Sequence, residues 1–156
     1  MSSYEDKIKN QAGSYLKPGE RVLAAFIARP RGAMQARSGL AGSIIGGRKA
    51  GQQRQAAKDA GMELASPMAL TLTDQRLLVF KVSPPIALGK GGDVKDLVSE
   101  APLTDVDSID VKRLLVGKVV TLTVRGTPFK LEVGAGENVA GVVDGFAQSR
   151  GQGVSR

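Results

Sequence analysis

Between residues 66 and 133, apolar and polar positions alternate with period two wherever the chain is free of Gly and Pro clusters, the pattern of strands with one buried face. Met68, Leu70 and Leu72 alternate with Ala69, Thr71 and Thr73. Asp74-Gln75 marks a tight turn, and Leu78, Phe80 and Val82 share one face of a strand over residues 76–82. Residues 83–96, with Pro84-Pro85, Gly89, Gly91 and Gly92, read as loop. Further strands are predicted at residues 97–101, 106–114, 118–125 and 128–133, with turns at Gly117 and Gly126-Thr127. Val120, Leu122 and Val124 face inward, and Phe129, Leu131 and Val133 alternate with Lys130 and Glu132. Upstream, residues 21–29 hold an unbroken apolar run from Val22 to Ala28. Such a strand needs cover on both faces, and Pro30 ends it. Seven strands are therefore expected.

Helical spacing shows at both ends. Ser2 and Glu5 have capping-box spacing, and Tyr4, Ile8, Ala12 and Tyr15 fall near one side of a helix within residues 1–17. That helix could cover one face of the first strand. Val139, Val142, Val143 and Phe146 sit at i, i+3, i+4 and i+7, an amphipathic closing helix. Residues 149–156 are polar and Gly-bearing and read as a flexible tail. Residues 31–65 form a long insert. Its first half is punctuated by Gly39, Gly42, Gly46, Gly47 and Gly51, and its second half is rich in Ala and Gln, good helix material. Gly42 and Gly46 have the spacing that lets two helices approach closely, which marks them as self-association candidates, although Arg48 and Lys49 interrupt the apolar stretch that motif requires. Three readings stay open: a flexible or marginally helical loop, a helical hairpin or oligomer contact, and an interfacial membrane helix. The apolar pattern of the strands lies largely outside the insert, so a short linker in place of residues 33–64 is expected to leave the domain folded.

The chain has 156 residues, enough for one domain with a sizeable core. Its charge is +7 and unevenly placed. No Asp or Glu occurs from residue 21 to residue 58, a stretch holding eight cations, while the rest of the chain sums to −1. A local positive field favours anionic partners. Cys, His and Trp are absent, which excludes disulfides, thiolate and imidazole metal sites, Cys nucleophiles and the Ser-His-Asp triad. No catalytic residue, metal site or cofactor is expected. Gly134-Ala135-Gly136 lacks the βαβ context of a dinucleotide fingerprint, and Gly89-Lys90-Gly91 lacks the spacing of a phosphate loop. Asp105, Asp107 and Asp110 lack the Gly and distal Glu of a calcium loop and read as a solvated strand edge. Nucleic acid is disfavoured, because aromatics are only 4% and none lies among the cations from Arg29 to Lys58. No apolar run reaches transmembrane length and the N-terminus has no secretory pattern, so a cytoplasmic chain, peripheral at most to the inner membrane face, is expected.

The order of elements, seven short strands and then one amphipathic helix, resembles the barrel of pleckstrin-homology-like domains. ALTLTDQRLLVF (residues 69–80) resembles a hairpin of the bacterial pleckstrin-homology-like and GRAM-like family, in which a strand ends in a Thr-Asp turn followed by Arg and an apolar strand. APLTDVDSIDV (residues 101–111) is similar to a later segment of that family, and PGERVLAAF (residues 18–26) to its first strand. The resemblance spans residues 18–148. It implies a mainly β, α+β fold: a seven-stranded antiparallel barrel closed by a C-terminal helix, with the N-terminal helix and the Gly-rich basic insert as additions. In lipid-binding relatives the connection after the first strand carries the cations that hold phosphate. Arg29 and Arg31 sit at its start here, with Arg37, Arg48 and Lys49 further in, but there is no match to a phosphoinositide-binding pattern. The leading expectation is a non-enzymatic adaptor that contacts a protein partner or itself. The alternative is peripheral binding to anionic phospholipid through the basic insert.

Overall fold

Leucine and β-branched side chains at every second position favour extended backbone because they pack well on a pleated surface. In the computed structural model, which describes residues 10–32, 40–65, 67–82, 94–115, 117–134 and 139–154, they form β1 (Val22–Pro30), β2 (Met68–Thr73), β3 (Arg76–Val82), β4 (Val94–Pro102), β5 (Val106–Arg113), β6 (Lys118–Val124) and β7 (Thr127–Val133). All seven belong to one antiparallel sheet of order β4-β3-β2-β1-β7-β6-β5. Helix α1 (Leu40–Asp59) connects β1 to β2, and helix α2 (Val139–Val154) follows β7.

The sheet curls around a main core. Phe26, Leu70, Leu72, Leu122, Phe129 and Leu131 are buried there with Val139, Val142 and Phe146 of α2. The opposite face of β1–β3 is also covered. Ala25, Ala69, Leu78, Phe80 and Val82 form a second cluster, closed by Ala12 and Leu16, and Tyr15 meets Phe80 edge-on at 5.3 Å between ring centroids. The double-sided cover expected for β1 therefore extends to β2, whose six residues are all buried. Residues 1–9, with Tyr4 and Ile8, lie outside the described part. Ala12–Tyr15 is a 3-10 turn rather than α-helix.

Four expectations need correction. The sheet is not a hydrogen-bonded barrel: β4 and β5 are its two edges and do not pair, because the 3-10 turn Leu103–Asp105 separates them and α2 packs against that turn and β5. The insert is not a marginal loop over residues 40–59 but a single helix of 20 residues. Its end is sealed by Gly61 (φ +81°), with Met62 N–H donating to Ala57 O (2.7 Å) and Gly61 N–H to Lys58 O (2.9 Å), a Schellman cap. Nor is the insert separable from the core, since Ala57, Ala60, Met62 and Leu64 are buried within the main cluster. They fill the space left because β1 and β7 pair only from Ala28 to Pro30. Finally, α2 continues to Val154, so most of the predicted tail is helical.

Candidate functional site

Antiparallel order brings the end of β1, the β5–β6 turn and the end of β7 to one mouth of the sheet. Arg29 stands opposite Glu132 in the β1–β7 register. Arg31 lies one residue past β1, its N–H donating to Lys130 O (3.0 Å) and its guanidinium 3.8 Å from Glu132. Gly32 N–H donates to the same carboxylate at 2.7 Å. Arg29, Arg31, Lys118 and Glu132 line a cavity of about 320 Å³ with Leu114, Gly117, Val133 and Gly134. Among the described residues, three cations and one carboxylate line it. Gly117 (φ +77°) makes the close turn possible, since a Cβ would stand 2.6 Å from Val133 O.

The other predicted cations are placed differently. Arg48 and Lys49 are exposed on α1. Two contacts fix the direction of this helix. Arg125 Nη1 donates to Ala60 O (2.8 Å), and Lys130 N–H donates to Gln53 Oε1 (2.7 Å). From its C-terminus backward, α1 thus runs along β7 toward the mouth, and Arg48 and Lys49 stand about 6–8 Å beyond Gln53 along the axis. Arg37 lies outside the described residues. Gly42 and Gly46 lie on the first half of α1, and what packs against them is also outside the described part.

A second, larger hollow of about 450 Å³ lies between residues 58–63 and β4. Lys58 lines it together with Glu63 and Glu100, so among the described residues it carries no cation excess. Glu63 N–H donates to Ser99 Oγ (3.0 Å), which makes this hollow a joint between insert and sheet.

The strongest electrostatic feature is structural. Arg76 Nε and Nη2 donate to the two oxygens of Glu20 (both 2.9 Å), Nη1 to Glu100 (2.7 Å) and Nη2 to Tyr15 O (2.8 Å). Thr73 Oγ1 donates to Glu20 (2.6 Å), and Lys17 N–H adds a further bond at 2.9 Å. The Arg76 guanidinium, above all, pulls the Glu20 carboxyl down to about 2 against the opposing effect of burial, and Glu20 in turn raises Arg76. This pair joins the start of β1 to the β2–β3 turn. It uses the Glu of PGERVLAAF and the Arg of ALTLTDQRLLVF, two motifs that the sequence shows only as separate.

Two of the three aspartates of the 105–110 stretch also have structural partners. Asp105 pairs with Arg125 (3.0 Å), and Asp107 accepts Gly126 N–H (2.7 Å). Among the described residues, no cluster of three carboxylates could hold a metal ion, and no helix is long and apolar enough to cross a membrane.

Sequence reasoning missed Lys118, Leu114 and Leu115. The available signal was a second acid-free stretch, residues 111–131, with five cations, and an apolar pair at a turn where polar residues are usual.

No family model matches the chain, and no curated protein matches it. Among solved structures it is similar to a DUF1696 family protein with a pleckstrin-homology domain from Shewanella loihica PV-4, at 14% identity over 92% of this chain and 93% of that one, with a TM-score of 0.44. No residue of this chain takes a role from that likeness.

Proposed function

We propose that the chain is a non-enzymatic interaction module that takes an anionic group of its partner, phosphate or carboxylate, at the mouth formed by Arg29, Arg31 and Lys118. One observation carries this reading: among the described residues, three cations and one carboxylate, Glu132, line the cavity. Guanidinium forks suit planar or tetrahedral oxyanions and stay charged at every working pH. The non-enzymatic reading rests on chemistry. Among the described residues, the mouth is lined by Arg, Lys, Glu, Leu, Gly and Val, with no nucleophile beside a base. The two described groups with displaced pKa are bonded to each other in the wall of the fold, away from that cavity. Arg48 and Lys49 extend the field along α1. The partner is a protein or a second copy of the chain, with anionic phospholipid as the alternative, and the mouth suits the anionic group of each.

Calorimetric titration with inorganic tripolyphosphate and with polyglutamate tests this. Salt-sensitive binding, weakened at least tenfold by Arg31→Gln/Lys118→Gln, is the expected result. Absence of binding, or binding indifferent to these changes, removes the reading. Self-association through Gly42 and Gly46 is tested separately by sedimentation velocity. A dimer lost in Gly42→Leu/Gly46→Leu and insensitive to salt supports it.

A further inference from the structure

The tip of the β5–β6 hairpin combines two features that are each unfavourable in water. Leu115 is fully exposed (106%) and Leu114 is 37% exposed. Leu114 N–H donates to Gly117 O (3.1 Å), so the turn presents them on a closed, preformed tip. Immediately behind the leucines, Arg113 stands directly opposite Lys118 in the register, a like-charge cross-strand pair of the kind that weakens a hairpin. Lys112 is exposed one residue further back, and no carboxylate pairs with any of these three among the described residues. An isolated domain gains nothing from this arrangement. An anionic bilayer would relieve both costs at once.

We propose that the β5–β6 hairpin is a membrane wedge: Leu114 and Leu115 enter the edge of the hydrocarbon layer while Lys112, Arg113 and Lys118 lie among anionic headgroups. Strand rise is about 3.3 Å per residue, so the leucines, one and two residues past Arg113, reach roughly 3–7 Å beyond it. Leu115 thereby comes to the shallow end of the depth, about 5–10 Å, at which interfacial apolar groups are buried. Apolar tip and cations act together because either signal alone gives weak attachment, and polybasic segments are drawn to anionic leaflets. Leu114 and Lys118 also line the cavity of Arg29 and Arg31, so a headgroup of the same leaflet can be seated there. The wedge rests on the reading of that mouth as an anion site in this last respect alone, and the two can fail separately.

The chain has no Trp, so Leu115→Trp in the full-length protein introduces a single reporter. With vesicles of 70% phosphatidylcholine and 30% phosphatidylglycerol, its emission should shift to the blue and be quenched by brominated acyl chains. Pure phosphatidylcholine should give neither effect. Leu114→Ser/Leu115→Ser and, separately, Arg113→Gln/Lys118→Gln should each weaken vesicle sedimentation at least tenfold with a melting temperature that does not fall. Sedimentation with vesicles while the new indole stays in water overturns the wedge. Binding of tripolyphosphate dependent on Arg31 but no vesicle binding overturns the wedge and leaves the anion mouth standing. Insertion without any effect of Arg29→Gln/Arg31→Gln on tripolyphosphate or vesicles keeps the wedge and removes the mouth. A dimer dissolved by Leu115→Ser, with no vesicle binding, overturns the wedge in favour of a second copy as occupant.

Discussion

Glu20 and Arg76 show how much a single buried pair decides. Arg76 has a side chain only 6% exposed and Glu20 is fully buried, so neither charge can return to water when its partner is removed. Arg76→Met should therefore cost about 3–5 kcal/mol, whereas Glu20→Leu/Arg76→Met should cost far less than the two single changes together, as read from denaturant melts in a double-mutant cycle. The same pair sets an acid limit. Because the folded Glu20 carboxyl lies near 2 rather than the ordinary 4.5, its contribution is complete above about pH 4.5 and is lost as pH falls toward 2. That contribution is about 3 kcal/mol, and Glu20→Gln should flatten the fall in melting temperature across this window. Thr71 is the reverse case. Its hydroxyl is buried without a hydrogen-bond partner among the described residues, so Thr71→Val should raise stability by about 1 kcal/mol.

Among the elements, the helices are held by side chains that local propensity does not specify. Phe146 of α2 is buried in the main cluster, and Phe146→Ala should cost about 3–5 kcal/mol in thermal or denaturant unfolding. An unchanged melting temperature would place the residue outside the core. Helix α1 carries Gly46, Gly47 and Gly51, each unfavourable in a helix interior by about 1 kcal/mol relative to Ala, yet the helix forms. Its C-terminus is tied by the Schellman cap and by Arg125, which donates to the open carbonyl of Ala60 while pairing with Asp105. Gly61→Ala would strain the positive φ and place a Cβ 2.8 Å from Arg125 Nη1, so it should destabilise the protein measurably and loosen α1 first, as seen in amide exchange over residues 52–59.

For the whole molecule, the insert is part of the fold. A Gly-Ser linker replacing residues 33–64 removes Ala57, Ala60, Met62 and Leu64 from the core. Truncating a single buried Leu or Met costs about 2–5 kcal/mol, against a typical total of about 5–15 kcal/mol. The linker variant should therefore lose its cooperative thermal transition. The same architecture gathers charge. Arg29 and Arg31 from the first acid-free stretch meet Lys118 from the second at one mouth, with α1 directing Arg48 and Lys49 toward it. Arg48→Glu/Lys49→Glu should weaken polyanion binding more at low salt than at physiological ionic strength, where exposed charges are screened over about 8 Å.

The alternation of apolar residues, with the unbroken apolar run of β1, is enough to place all seven strands within a few residues, and the 3.6-residue spacing of Val139, Val142, Val143 and Phe146 is enough for the closing helix, because such patterns record which sides of a local element meet a core. What lies between elements was not legible in the same way. The pairing of Glu20 with Arg76 spans 56 residues, and the mouth draws on residues from 29 to 134. No local period encodes such distances; they follow from strand order and register. For the same reason the insert does not read as core from its sequence. Small residues such as Ala57 and Ala60 carry little hydrophobic signal of their own, and they are core because β1 ends opposite Leu131 and leaves the first half of β7 to be covered by the helix. The leucines at the β5–β6 tip were visible as letters, but their exposure was decided by the fold, which turns that hairpin end outward at the mouth where the cations meet.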